Sequence, residues 1–302
     1  MTRTWIILAV VLVVLSLPGR AAAWGGDGHR RMTEGALTHL IGPLGAYFND
    51  ASAAPDLVST SGREPPGKHW INIDNYPEFF EGTLPRDHDE LVALYGETVV
   101  TQNGEAPWTA EDYLGQLTQA FVAAEGHEGF RYWYPVLEKA GQLAHYIEDL
   151  HNPMHLTAEY DGPYVGYGLH WRYEGLLVDR HLDGDDLAIA RNTAACAVLP
   201  SFIDTVFDSI DVNYYWNDDI QQADADGVAA SGGEFDEVYY SELWAGTGDF
   251  TQDLFQDGSE MVAAAWYTAW VDAGRPVLPV VPEPATITLL AIGAAAVLRR
   301  RR

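Results

Sequence analysis

The sequence predicts an all-α fold, a single mainly helical domain with long loops, and three observations support it. Apolar residues recur at helical spacing in several long stretches. Few stretches alternate apolar and polar residues as a half-buried strand does. No repeat and no Ser/Gly/Pro-rich linker divides residues 24–275, and 302 residues at 47% apolar composition suffice for a sizeable core.

The elements follow in chain order. Thr109-x-x-Asp112 reads as a capping box opening a helix with Leu114, Leu117 and Phe121 on one face. From Pro135 to His151 apolar residues recur at Leu143, Ile147 and Leu150, and Asn152-Pro153 supplies the stop. A further helix is expected from Ile189 to Ile210 with a break at Pro200, and a last one from Ser259 to Ala273, ended by Gly274. Segments 43–68, 75–107 and 211–257 hold Gly, Pro, Asp and Asn and are expected to be long loops, which in a compact domain are usually functional or pinned.

Both ends read as addresses. Residues 1–23 combine Arg3, an apolar run from Ile6 to Leu17, a Pro18-Gly19 break and Ala21-Ala22-Ala23, the layout of a secretory signal peptide whose removal makes Trp24 the first residue. Residues 276–302 form a linker and tail: Val281-Pro282-Glu283-Pro284, an apolar stretch from Ala285 to Leu298, and arginines at 299–302. This tail resembles the PEP-CTERM sorting signal of Gram-negative bacteria, which implies export, recognition by envelope sorting machinery, and a cell-envelope or extracellular location. A short membrane helix stopped by positive charge gives the same location.

The chain holds 17 basic and 44 acidic residues, a formal charge of -27, which excludes a basic nucleic-acid binder. Without the two ends the charge is about -32, because they hold six of the basic residues and one acidic residue. Cys196 is the only cysteine, so packing or bound metal must take the place of an internal disulfide.

Ten histidines are then the informative residues. His145 and Asp149 stand four apart on a helix, hence on one face, and His170 and Glu174 repeat that spacing, with His155 between the pairs. Imidazole and carboxylate donors converging without thiolates suit zinc, although a single such pair can be an exposed polar pair. His151 matches no ligand position and reads as a helix-end residue. His39, His88, His127 and His181 lack partners at ligand spacing and read as solvated or internally satisfied. Asp218, Asp219, Asp224 and Asp226 fail the calcium-loop spacing and read as a solvated acidic loop.

Together with Trp24-Gly25-Gly26-Asp27-Gly28-His29, Pro55-Asp56-Leu57-Val58 and Lys68-His69-Trp70-Ile71-Asn72-Ile73-Asp74, these motifs resemble the zinc-dependent phospholipase C and single-strand-specific nuclease superfamily. The resemblance spans Trp24 to about Glu174. It implies an all-helical phosphodiesterase built around three zinc ions, in which the N-terminal Trp binds metal through its amine and carbonyl. Carried onto this chain, it implies one zinc on Asp56, His69, His145 and Asp149, a second on His155, His170 and Glu174, and a third on Trp24, His29 and a shared Asp149. Asp56 would also accept or orient the proton of the attacking water.

Within that superfamily the motifs point two ways. The five-residue step from Trp24 to His29 is similar to the nuclease branch. Glu174 and the string His170-Trp171-Arg172-Tyr173-Glu174-Gly175 resemble the phospholipase branch, where nucleases carry Asp. Ser59 and Asn72 stand where nucleases carry an Arg and a base-reading Asp. Trp70 falls at an aromatic position that could stack a base or a choline, or serve as a core residue. The expectation is a phospholipase C-like hydrolase acting on a phospholipid headgroup, with cleavage of single-stranded nucleic acid as the alternative. A non-catalytic envelope protein stapled by zinc is the reading from another functional class.

Overall fold

The computed structural model describes residues 24–51, 54–58 and 66–279, and all regular structure among them is helical. The expected signal peptide, Ser59 and the tail from residue 280 lie outside the described residues.

The chain enters through α1 (Gly25–His39), α2 (Gly42–Ala51) and the short α3 (Ala54–Val58). Three further short helices follow, α4 (Pro77–Glu81), α5 (His88–Tyr95) and α6 (Glu97–Asn103). They lead into the antiparallel-neighbour pair α7 (Ala106–Ala124) and α8 (Phe130–Asp149). A 3-10 turn at Pro153–His155 precedes α9 (Leu169–Trp171), which runs directly into a π-helix at Arg172–Leu177 and then α10 (Val178–His181). The chain ends in α11 (Phe202–Asn213), α12 (Trp216–Ser231) and α13 (Glu237–Asp272).

α8 is amphipathic: Trp133, Val136, Leu137, Ala140, Leu143, Ala144 and Ile147 recur at three- and four-residue steps and are all buried. They pack with Leu117 and Phe121 of α7 and with Val262, Ala265, Trp266 and Ala269 of α13 in one apolar layer. A second layer gathers Trp24, Met32, Tyr173, Leu177, Tyr239, Leu254 and Phe255. At 36 residues, α13 runs about 54 Å and belongs to both layers. The site lies where α1, the C-terminal end of α8 and the π-helix meet the two layers.

The all-helical expectation holds, while several boundaries differ. Thr109 is not a cap: α7 starts at Ala106 with Pro107 in its first turn, and the Thr109 hydroxyl donates back to the Glu105 carbonyl at 2.9 Å. α8 begins at Phe130 and carries Pro135 inside it. Residues 189–200 contain only a 3-10 turn, and the helix beyond Pro200 is opened by Ser201, whose hydroxyl accepts from the Asp204 amide at 3.3 Å. The three expected loops contain helices. Segment 211–257 is nearly all helix, and Asp236 opens α13 by accepting from the Val238 and Tyr239 amides. Its glycines permit close helix packing: a Cβ at Gly246 would lie 2.6 Å from that of Ala223 on α12.

Candidate metal centre

Trp24 sets the position of α1. Its backbone is left-handed at φ 51°, unusual for a residue other than glycine. Its fully buried indole donates to the Glu148 carbonyl at 2.8 Å and packs edge-on against Phe255. One turn on, His29 therefore faces the last turn of α8.

There His29, His145 and Asp149 converge, all buried, each offering a ligand atom within 4.8 Å of the others. His29 Nε2 lies 3.4 Å from Asp149 Oδ1, His145 Nε2 lies 3.5 Å from Asp149 Oδ2, and the two rings stack at 4.2 Å. His69 adds itself from the segment before α4, with Nδ1 2.8 Å from Asp149 Oδ2 and 3.2 Å from His145 Nε2.

The second cluster is His155, His170 and Glu174. His170 Nε2 stands 2.8 Å and His155 Nε2 3.5 Å from Glu174 Oε2. The π-helix widens the turn after His170 and still returns the fully buried Glu174 to the same face. Asn152, after α8, makes two bonds: its carbonyl oxygen accepts from the Met154 amide, and its Nδ2 donates to Glu174 Oε2 at 3.0 Å.

A backbone ladder joins the clusters. Ile71 N donates to His155 O at 2.9 Å, Ile73 N to Leu156 O at 3.2 Å, and His155 Nδ1 donates to His69 O at 2.6 Å. That last bond fixes the His155 tautomer and leaves Nε2 as a lone pair.

Buried polar atoms are normally hydrogen-bonded. Here His29 Nε2, His145 Nδ1, Asp149 Oδ1, His155 Nε2, His170 Nε2 and Glu174 Oε1 are buried without a hydrogen-bond partner. Donors on a tetrahedral ion with arms of about 2.0–2.1 Å sit about 3.3 Å apart. The observed separations bracket that value, so the residues present fit a divalent ion.

The electrostatics agree at Asp149, Glu174 and His145, while an ion at His29 would have to displace a proton. Burial pushes the Asp149 carboxyl up, but the facing imidazoles of His145, His29 and His69 outweigh it and hold the group well below the usual carboxylate range. Glu174 ends at about 2 for the same reason, burial being overcome by His170 and His155. His145 is pushed down to about 3, chiefly by burial, so its imidazole is neutral and available as a donor. His29 rises to about 9, because Asp149 and Glu148 together exceed the effect of its burial.

Of the residues expected from sequence, the structure brings His29, His69, His145, Asp149, His155, His170 and Glu174 together. Two clusters form among the described residues where three were expected, since His29 joins His145 and Asp149. Asp56 stands apart: its side chain is 71% exposed on α3 and pairs with Arg30. Trp70 and Asn72 are half-buried beside His69, held through their backbones by Ala106 and Asn103.

The remaining histidines have other partners. His151 is buried and donates to Ile147 O; His39 bonds Ser259 and the Asn192 amide; His88 pairs with Glu105, His181 with Asp186, and His127 stacks on Tyr132. The four aspartates expected in a solvated loop lie on α12, and Asp224 is buried against Arg172. Sequence reasoning missed Glu148, Thr33 and Asn152, whose partners lie 22 to 119 residues away in the chain.

Residues 280–302 match the PEP-CTERM protein-sorting motif. The chain therefore carries a tail that supports interaction with an exosortase-type sorting system and a cell-envelope or extracellular location. No curated protein matches the chain. Among the described residues no helix is long and apolar enough to cross a membrane. The helical domain and its His/Asp/Glu clusters are consistent with a metal-dependent hydrolase.

Proposed function

We propose that the protein is an exported zinc-dependent phosphodiester hydrolase of the phospholipase C and nuclease superfamily, with phospholipid headgroups as its substrates. The observation that supports this is the pair of adjoining His/Asp/Glu clusters, six of whose residues each keep one buried nitrogen or oxygen without a hydrogen-bond partner. Imidazole and carboxylate donors without thiolate suit zinc. When bound, zinc supplies Lewis acidity toward a phosphoryl oxygen and a water acidic enough to attack at neutral pH.

The chain's own residues hold and orient. His69, His145 and Asp149, with His29, form one donor set, and His155, His170 and Glu174 form the other. His69 and His170 keep 14% and 18% side-chain exposure while the other five members are nearly closed off, so substrate reaches the clusters past these two rings. Trp70 follows His69, and Trp171, 44% exposed, follows His170, which gives each opening an indole next in the chain for a cationic headgroup or a base. Asp56 belongs to neither cluster and pairs with Arg30, so seven clustered residues carry the proposal. The third ion that the resemblance implies at Trp24, with His29 and Asp149, depends on cleavage after Ala23, which would free the Trp24 amine.

Glu174 and the acidity of the chain favour a lipid over a polyanion. The test uses protein beginning at Trp24, with zinc content measured and diacylglycerol release followed from phosphatidylcholine vesicles. Chelator-sensitive release that is lost in Glu174→Gln supports the proposal. Zinc-loaded protein that cleaves single-stranded DNA instead moves the substrate to nucleic acid. Protein that binds zinc and turns over neither substrate is a structural zinc protein.

A further inference from the structure

Glu148 is fully buried on the last turn of α8, directly before Asp149, and its carboxylate is used on both sides. Oε2 lies 2.7 Å from His29 Nδ1, and Oε1 accepts from the Thr33 hydroxyl at 2.7 Å. Both partners belong to α1, one turn apart, and the Glu148 carbonyl takes the Trp24 indole N–H at the start of the same helix. A buried carboxylate is costly unless its oxygens are satisfied, and here α1 satisfies them.

We propose that Glu148 is a positioning residue for the first metal cluster: it accepts a hydrogen bond from His29 Nδ1–H and so turns Nε2 toward Asp149 and His145, where a bound ion would take the place of the Nε2 proton. The inference rests on reading those clusters as metal sites. The geometry agrees at each end of the ring, since Nδ1 is engaged while Nε2 is buried, unpartnered and 3.4 Å from Asp149 Oδ1. A carboxylate behind a ligating imidazole fixes the tautomer and raises the basicity of the ligand, and losing it typically lowers metal affinity 10–100-fold. The second cluster has its own orienting partners, the His69 carbonyl on His155 and Asn152 on Glu174, so it is independent of Glu148.

The experiment is a zinc titration of the full folded protein against a competing chromophoric chelator, resolving the two affinities. A His170→Gln variant identifies which one belongs to the second cluster. Glu148→Leu removes the acceptor and is expected to weaken the first site by about 10–100-fold while leaving the second unchanged. Glu148→Gln, which keeps shape and one acceptor oxygen, is expected to fall between Leu and wild type. Thr33→Val removes only the other hydrogen bond and is expected to retain both affinities. Equal affinities in Glu148→Leu and wild type overturn the inference, as does a parallel weakening of both sites, which marks Glu148 as merely structural. Wild-type protein that binds no zinc overturns the metal-site reading itself, and the inference with it.

Discussion

Replacing Asp224 by Asn removes one charge from the best-buried ion pair among the described residues outside the candidate metal clusters. Arg172 is 5% and Asp224 3% exposed, with Nη2 and Oδ1 3.1 Å apart. Asp224 also accepts from the Tyr239 and Tyr167 hydroxyls at 2.5 and 2.8 Å, and Arg172 donates to the Tyr239 oxygen and the Tyr167 carbonyl. The Phe235 ring covers the guanidinium at 3.8 Å. Asn keeps the volume but leaves a buried guanidinium without its counter-charge, which costs about 3–5 kcal/mol. The aromatic face that remains places the expected loss near the lower end, about 3 kcal/mol. For a domain of this size that corresponds to a melting temperature lower by about 6–12 °C. Thermal melts by circular dichroism, with urea unfolding as a second measure, read the change. Because removing both charges also removes the desolvation cost, Arg172→Met/Asp224→Leu is expected to regain most of the loss. A melting temperature for Asp224→Asn within about 2 °C of the parent refutes the argument, and so does a double variant less stable than the single one.

Two further outcomes follow from groups on either side of the site. Burial holds His39 below its ordinary pKa, with Arg191 adding to the effect and Glu260 opposing it. Its Nδ1 accepts from the Asn192 amide while Nε2 donates to Ser259, so the folded state needs the neutral ring. The folded protein therefore binds this proton less readily than the unfolded chain. The stability it contributes is present above about pH 6.5 and falls as the pH drops below that value. His39→Gln is expected to flatten the melting temperature between about pH 6.5 and 5 relative to wild type, and parallel curves would count against the assignment. Gly104 has φ +91°, and a Cβ there would lie 2.2 Å from the Trp70 carbonyl oxygen. Gly104→Ala is expected to cost about 1–3 kcal/mol from the backbone alone and, where the first cluster binds zinc as proposed, to weaken that binding by displacing the segment that carries His69; a zinc titration and a melt check both.

The helices legible in the sequence are those whose apolar spacing is dense. α8 packs through Val136, Leu143 and Ile147, and the face of α7 through Leu117 and Phe121, as their periodicity requires. α1 has no such signal. It opens Gly-Gly-Asp-Gly, weak helix formers all, and buries Gly28, His29 and Thr33 beside Met32 and Ala36, so only its packing against α8 and α13 makes it a helix. In α13 the apolar residues Tyr239, Leu243, Phe250 and Leu254 do keep helical spacing, yet the glycines and aspartates among them read locally as loop. Their role became visible only against α12. The same division holds at the site. His145 with Asp149, and His170 with Glu174, are paired by spacing within one segment. The joining of His29 to Glu148 across 119 residues, and of His155 to the His69 carbonyl across 86, is tertiary and leaves no local trace.

If the clusters hold metal as proposed, that tertiary part is what distinguishes a prepared centre from residues a metal would have to gather. The donors come from α1, the segment before α4, α8, the Pro153 turn, α9 and the π-helix, so ions bound at the two clusters would tie distant stretches of a chain that has no disulfide. Yet Glu148 holds His29, the His69 carbonyl holds His155 and Asn152 holds Glu174, each through a bond to an atom that faces away from the cluster or is shared at its edge. Orienting bonds of this kind lower the ordering cost of binding and fix which nitrogen is free. The apolar layers on both sides, joined by α13, pack around these segments through residues other than the clustered ones. The arrangement thus separates two tasks: the helical core fixes the frame, and the hydrogen bonds behind the ligands aim them. On the function proposed above, a site aimed in advance, with the His69 and His170 rings at its opening, suits turnover better than a staple that only closes the fold.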